Sequence, residues 1–558
     1  MTIFKYDHLR TLFLLILFQI SHITYGQLLT ANSHFSKYDT LKGGLSPLRT
    51  CIDVKKYNID LEVDLEKKSL VGAVTMRLKA VESFTKIQLD LFSRYKISSV
   101  KYQGKSLKFD RDSNHFFVTF PKKIMKDSEI ELAIMYQGTP IKAVHAPWDG
   151  GFVWNKDSSG DHWVGVACEG LGASSWWPCK DHWSDEPDSG VVMKYTVPEG
   201  YTAVGNGKLT KKTTLKGKTT FEWVVTSPIN LYDVTINIAK YYHYDSKFYS
   251  RVSEGVLDLD FYVLRENKER AKVHFYEVTD MHACFESKFG AYPFYKDGYK
   301  LVETPYLGME HQSCIAYGNK YLKGYLGDLK MTGGYEFDYI TIHESGHEWF
   351  GNNISASDNA DMWIHEAFTT YSESVFVECL HGKDAGVKYI NDHRYKVRNL
   401  KPIQGPYGVA EEGDGDMYAK GSLMINTLRH HIDNEVIWST ILKEFNSEFR
   451  FKTIRYEDVV RFFESKSNMN LKPFFEQYVK KPSLPVLNIE NLSKNADSTQ
   501  NVSLKFDNVT PGFNLNVFIK NMNTKFLVSE HAQKITLPAN YVIDESKGYF
   551  IIKTEKVK

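Results

Sequence analysis

Cysteine is sparse in this chain. Its 558 residues hold six, Cys51, Cys168, Cys179, Cys284, Cys314 and Cys379, with no C-x-x-C pair among them. That excludes a zinc-ribbon framework and leaves buried free thiols or an isolated bridge, Cys168 with Cys179 being one conceivable pair. A surplus of one charge is also lacking. Lys+Arg 69 against Asp+Glu 68 leaves a net +1, with no long block of either sign, so neither nucleic acid nor an electrostatic membrane patch is expected as a partner. There is no internal repeat and no low-complexity tract. The N-terminal apolar run, Thr11 to Ile20, is far shorter than the ~20 residues a spanning helix needs. With Lys5 and Arg10 ahead of it and small or polar residues around Gly26, it has the pattern of a signal peptide over residues 1–26. No cysteine lies near that cleavage point, which argues against a lipid anchor. The mature chain is expected to start near Gln27 and to be an exported, soluble protein, periplasmic or secreted, with no permanent membrane anchor.

What is present is core-forming material: 42% hydrophobic and 14% aromatic residues, enough at this length for roughly three or four domains. From about 56 to 240 the pattern is alternation, as in "YNIDLEVDLE" and "HFFVTF", which predicts a large antiparallel β-domain at 45–240. Near Arg265 the period changes to three and four. Helices are predicted near 336–352, 364–381, 417–432, 436–449, 456–465 and 471–479, within a catalytic domain at 241–484. Alternation returns in "VSLKFDNV" and "FNLNVFIKN", predicting a β-sandwich-like domain at 485–558. The fold class expected is multidomain α+β.

The chemistry-bearing string is "HESGHEWF", residues 343 to 350. Fewer than ~0.1 His-Glu-x-x-His matches are expected by chance in a chain of this composition. On a helix, residues four apart share a face, so His343 and His347 can present imidazole nitrogens to one ion, with Glu344 alongside. A hydrolytic zinc needs a third protein ligand and one open position, and "DMWIHEAFTTYSE" offers Glu366, nineteen residues after His347. Of its neighbours, His365 should face away from the ion, and Glu373 should support the site from behind.

His-Glu-x-x-His, eighteen residues, then Glu resembles the zinc signature of the aminopeptidase N family of gluzincin zinc metallopeptidases, peptidase family M1. "YLGMEHQS", Tyr306 to Ser313, resembles the family's Gly-x-Met-Glu-Asn motif. Leu307 and His311 replace its first Gly and its Asn, while Gly308, Met309 and Glu310 remain. "DMYAKGSLMINTLRH" is similar to the family's Tyr-x-Lys-Gly segment, with Tyr418, Lys420 and Gly421 at the matching offsets. "ACEGLGASSWWPCKDHWSDEPD" is similar to a family stretch ending in Pro-Cys-x-Asp-Glu-Pro, with an insertion between Cys179 and Asp185. Ser174 stands where an Arg is usual, and Glu169 takes the place of a Gln or Glu that helps to hold the substrate's amine. The resemblance spans about residues 45 to 485. It implies a saddle-like β-domain, a thermolysin-like catalytic domain and a β-sandwich, without the large helical C-terminal domain of many members.

It also implies roles. One zinc ion would sit on His343, His347 and Glu366, Glu344 would be the general base and Tyr418 would steady the oxyanion. Glu310 and Glu169, with Gly308 and Met309, would bind the free N-terminus of a peptide, and an imidazole at His311 could share substrate contacts or alter the charge of Glu310. The expected activity is a zinc aminopeptidase. The alternatives are a thermolysin-like endopeptidase, an epoxide hydrolase, for which no sequence feature suggests a lipid tunnel, and an inactive peptide-binding scaffold, which would have lost Glu344, Glu366 or Tyr418.

Overall fold

A computed structural model describes residues 35–253, 255–522 and 524–555. The expected signal peptide, 1–26, lies outside them.

The first layer is an eight-stranded sheet built around Ile52–Asp64 and Ser69–Ala80. Along Ile52–Asp64 the alternation of the sequence becomes a two-faced strand: Tyr57, Ile59, Leu61 and Val63 are buried while Asn58, Asp60 and Glu62 face water. Each such apolar side chain contributes about 1.5–3 kcal/mol on burial. The sheet is not wholly antiparallel, because Tyr57–Glu62 pairs in parallel with Val191–Thr196. Those strands are far apart in sequence, so no hairpin imposes the opposite sense. A four-stranded sheet containing His162–Ala167 ends this region, and Glu169 follows that strand by two residues.

The middle of the chain combines a five-stranded mixed sheet with a set of helices. The sheet runs Tyr242–Tyr249, Val256–Val263, Tyr299–Glu303, Ile315–Tyr317 and, at its edge, Gly308–Met309. The helices are close to those expected: Trp363–His381, Ala419–Ile432, Glu435–Glu448, Tyr456–Ser467 and Lys472–Val479. The helix expected over 336–352 is shorter. It runs Tyr339–Gly346, opened by the Asp338 carboxylate accepting from Thr341 N–H at 3.0 Å, and the continuation Glu348–Asn352 is kinked at Phe350 and Gly351. Gly351 has φ +133°, and a Cβ there would lie 3.1 Å from His347 Nδ1, so both its conformation and its crowding require glycine.

The bridge is Cys284–Cys379, tying Glu277–Phe289 to the far end of Trp363–His381. Cys168 and Cys179 are free and buried, so the conceivable pairing between them is not made. Beyond the helices, a four-stranded sheet that includes Val486–Lys494 and Thr499–Asp507, together with the hairpin Asn514–Ile519 and Thr524–Ser529, forms a short β-sandwich.

Candidate active site

His343 and His347 lie one turn apart at the end of Tyr339–Gly346. The Nε2 atom of each is 3.5 Å from Oε2 of Glu366, which the first turn of Trp363–His381 supplies. All three side chains are buried. Tetrahedral donors bonded to zinc at ~2.0–2.1 Å stand roughly 3.3–3.4 Å apart, so the spacing fits such an ion. His347 Nε2 and Glu366 Oε2 are buried and, among the described residues, have no hydrogen-bond partner. Leaving a buried polar atom unpaired costs about 1–3 kcal/mol, more for a charged one, and a cation at this point removes that cost.

The far sides of these ligands are tied down. His343 Nδ1 lies 2.6 Å from Glu373 Oε1, and the other oxygen of Glu373 accepts from the Tyr389 hydroxyl. Burial alone would raise the Glu373 carboxyl, but the hydrogen bond to His343 and its charge hold it below its ordinary value. His347 Nδ1 donates to the Phe350 carbonyl at 3.0 Å, with Thr369 Oγ1 at 3.1 Å. Each Nδ1 is therefore engaged away from the centre, which aims each Nε2 inward. Burial disfavours a charged His347, yet Glu310 and Glu366 outweigh it and push this imidazole up to about 9.

Glu344 lines the same cavity; it is not in the His343–His347–Glu366 group, but one of its carboxylate oxygens lies within 4.8 Å of donor atoms of Glu310 and His347. Burial pushes its carboxyl up to about 7, against the pull of His343 and His347. A Cβ on Gly308 would come within 2.8 Å of Glu344 Oε1 and 2.7 Å of Ile340 Cγ2, so glycine lets the edge strand Gly308–Met309 close over this carboxylate. Tyr418 is brought to the cavity wall just before Ala419–Ile432, and its hydroxyl donates to Glu366 Oε1 at 2.8 Å.

Glu310 is buried beside the triad. Its Oε2 lies 4.0 Å from His347 Nε2, and its Oε1 accepts from Tyr232 at 2.9 Å. Asn352 Nδ2 donates to the Glu310 carbonyl at 2.8 Å and to Glu348 Oε1 at 3.0 Å, and Glu348 Oε1 also accepts from Ser313 N–H at 2.9 Å. The kinked turn after His347 thus pins the Gly308–Ser313 loop to the metal ligands. Glu169 reaches the cavity from the first region, and burial, then the charges of Glu310, Glu366 and Glu412, raises its carboxyl well above its usual value.

The cavity, about 330 Å³, is lined by Glu169, Glu310, Glu344, Glu366 and Glu412 with His343, His347, Met309, Tyr418 and others. Among the described residues no Lys or Arg lines it. All nine residues expected from the sequence, Glu169, Gly308, Met309, Glu310, His343, Glu344, His347, Glu366 and Tyr418, converge on this one space. His311 does not line it: the ring is fully buried and burial pushes it down to about 3, so it carries no charge near neutral pH. His365 is not in the His343–His347–Glu366 group, and its surroundings were not anticipated. Its ring stacks on Trp183, 5.2 Å between centroids and 5° between planes, beside Glu169 and Glu310. Trp183 lies in the insertion between Cys179 and Asp185, the local irregularity that could have drawn attention to it. Tyr232 and Glu412 carried no local signal at all.

Two buried histidines and a glutamate around one point, with Glu344 beside them, form a donor set of the class that metallohydrolases use to hold an ion and activate a water. The matched families are of that class. The description "Peptidase family M1 domain" matches residues 277–478 and "Peptidase M1 N-terminal domain" matches residues 54–232, together well over half of the chain. The chain belongs to peptidase family M1.

Among proteins of similar sequence are "Probable aminopeptidase 1" of Sulfurisphaera tokodaii, 20% identical over 78% of this chain and 54% of its own length, and "Aminopeptidase N" of Streptomyces lividans, 26% identical over 55% of this chain and 37% of its own. The chain thus spans about a third to a half of the length of these curated relatives. The M1 zinc metallopeptidase mutant of Deinococcus radiodurans, solved with a Tyr-Ser-Ala substrate, shares the fold at a TM-score of 0.65 and 19% identity, over 78% of this chain and 95% of that one.

Proposed function

We propose that this protein is an aminopeptidase that removes the first residue of peptides and uses a single zinc ion. The observation that carries this reading is the position of Glu310, whose Oε2 is 4.0 Å from a metal-ligating nitrogen, His347 Nε2. A carboxylate so close to the ion leaves room for one amino-acid unit between an ammonium at Glu310 and a carbonyl at the metal, and it obstructs the through-running chain that an endopeptidase must seat. The edge strand Gly308–Met309 offers backbone groups to an extended peptide. An inactive scaffold is disfavoured because Glu344, Glu366 and Tyr418 are all present and face one cavity.

His343, His347 and Glu366 would hold the zinc, which supplies a Lewis acid that brings the pKa of water toward ~7. Glu344 takes the proton of the attacking water and later returns it to the leaving amine. Its shift toward about 7 suits a group that must both accept and give at neutral pH. The Tyr418 hydroxyl donates to the oxygen that becomes negative in the transition state. Glu310 and Glu169 hold the substrate ammonium by charge-assisted hydrogen bonds. The acidic lining serves the same end, since a cation entering the cavity relieves the mutual repulsion of its carboxylates.

The test pairs free with N-acetylated aminoacyl substrates on zinc-loaded protein, with zinc measured per chain. Selective cleavage of the free amine at one ion per chain supports the reading. Efficient cleavage of the blocked peptides would move it to the endopeptidase, and metal binding without turnover to the scaffold.

We also propose export with cleavage near Gln27. Supporting it are the short apolar run behind Lys5 and Arg10 and the Cys284–Cys379 bridge, which suits an oxidising compartment. Among the described residues no helix is long and apolar enough to cross a membrane. N-terminal sequencing of the native protein checks this; retention of Met1 would count against it.

A further inference from the structure

Beside the proposed metal ligands is a second cluster, in which the mechanism above leaves one member, His365, unused. A ring nitrogen of His365 and one carboxylate oxygen from each of Glu169 and Glu310 lie within 4.8 Å of one another. His365 is completely buried. Its Nε2 accepts the backbone N–H of Ala356 at 2.7 Å, and an amide can only donate, so this nitrogen carries no proton. The ring is then neutral and the proton sits on Nδ1. That excludes a second metal site here, because Nδ1 has no lone pair left to give. It also leaves Nδ1–H as a buried donor without a partner among the described residues, on a ring that neighbours Glu169, whose Oε1 is a buried acceptor equally without one. Unpaired donor and unpaired acceptor in one desolvated space form an incomplete hydrogen-bonding arrangement. Contacts of this kind are often long in a ligand-free site and shorten when the ligand arrives.

We infer that His365 is a positioning residue for the substrate's ammonium: its Nδ1–H holds the Glu169 and Glu310 carboxylates in place from behind while their remaining oxygens face the amine. Trp183 keeps the ring in plane by stacking on it and also packs, tilted by 33°, against Tyr232, the donor to Glu310 Oε1. One aromatic layer thereby aligns both hydrogen-bond donors to this carboxylate pair.

This inference rests on the aminopeptidase reading, and two substitutions separate it from a merely structural role. An asparagine amide reaches as far from the backbone as Nδ1 does, and a glutamine amide as far as Nε2. His365→Asn therefore keeps the donor toward the carboxylates and gives up the Ala356 contact, while His365→Gln does the reverse. Full-length, zinc-loaded proteins are compared on L-leucine p-nitroanilide, with kcat and KM determined separately and zinc measured per chain. The donor role predicts KM about tenfold higher for His365→Gln, with kcat within about twofold of wild type, and KM within about threefold of wild type for His365→Asn. A KM for His365→Asn equal to or above that of His365→Gln, or zinc lost from both variants, overturns it. A wild-type protein that does not prefer the free amine to its N-acetylated counterpart overturns the aminopeptidase reading itself and this inference with it.

Discussion

The two halves of the cavity are built on opposite terms. In the metal half the outward nitrogens of the ligating histidines are engaged, His343 by Glu373 and His347 by the Phe350 carbonyl, so the inward atoms are aimed before any ion arrives. The ammonium half is crowded with like charge: Glu310 is buried and Glu169 half-buried, both carboxyls are raised above their ordinary range, and no Lys or Arg lines the cavity among the described residues. The metal half spends stabilisation in advance to fix geometry. The ammonium half keeps an electrostatic deficit that a cation relieves, which under the proposed function would favour a charged amine.

That contrast breaks first at Glu344, which belongs to neither half. Glu344→Gln should leave zinc bound, by metal analysis, and lower kcat about 10²- to 10⁴-fold. Wild-type turnover should fall as pH drops through the Glu344 titration, because a base must be ionised to accept a proton. Burial pushes that group up to about 7 without metal and a dication pulls it back, so the acid limb of kcat/KM should lie between its ordinary value near 4.5 and about 7. Near-wild-type turnover by a zinc-loaded Glu344→Gln protein would remove it from the mechanism.

Tyr418 sharpens the boundary, since its hydroxyl is engaged with Glu366 in this structure. If it acts on the developing oxyanion, Tyr418→Phe should lower kcat about 10²- to 10³-fold at unchanged zinc affinity. A loss of zinc affinity without that loss of kcat would assign Tyr418 to the metal half alone.

Within the metal half, Glu373→Gln removes the carboxylate that orients His343. It should weaken zinc about 10- to 100-fold in competition with a chelator, and an unchanged affinity would show that the imidazole needs no such support. In the ammonium half, Glu310→Gln keeps shape and removes charge. It should cost roughly one to three kcal/mol in kcat/KM on free-amine substrates, about tenfold to hundredfold, with N-acetylated substrates poor on both proteins. Equal losses on blocked and free substrates would erase the distinction between the halves.

Much of this was legible in the residues. The period-two alternation marked the β-regions because a strand with one wet face must write itself that way, and the spacing of His343, His347 and Glu366 is a local constraint that helix geometry converts directly into a shared face. The end of the zinc helix was not legible. Nothing in "HEWFGNN" says that Phe350 and Gly351 leave helical space; the packing of His347 and His365 around Gly351 decides it. His311 misled in the other direction, for a histidine beside Glu310 reads as a polar group in the pocket, while the fold buries it behind.

By itself the sequence pointed to His343, His347 and Glu366 as one group, to Glu344 beside them and to the order of β, α-rich and β regions, because each is a matter of residue type and short-range spacing. Only the tertiary structure decided that Glu169, from the first region, meets Glu310 and His365 from the middle one. It likewise decided that Cys284 pairs with Cys379, 95 residues away, and that Trp183 of an insertion stacks against the helix carrying Glu366. Such contacts join residues far apart along the chain. They depend on how whole layers pack, and no local pattern of residue types encodes that.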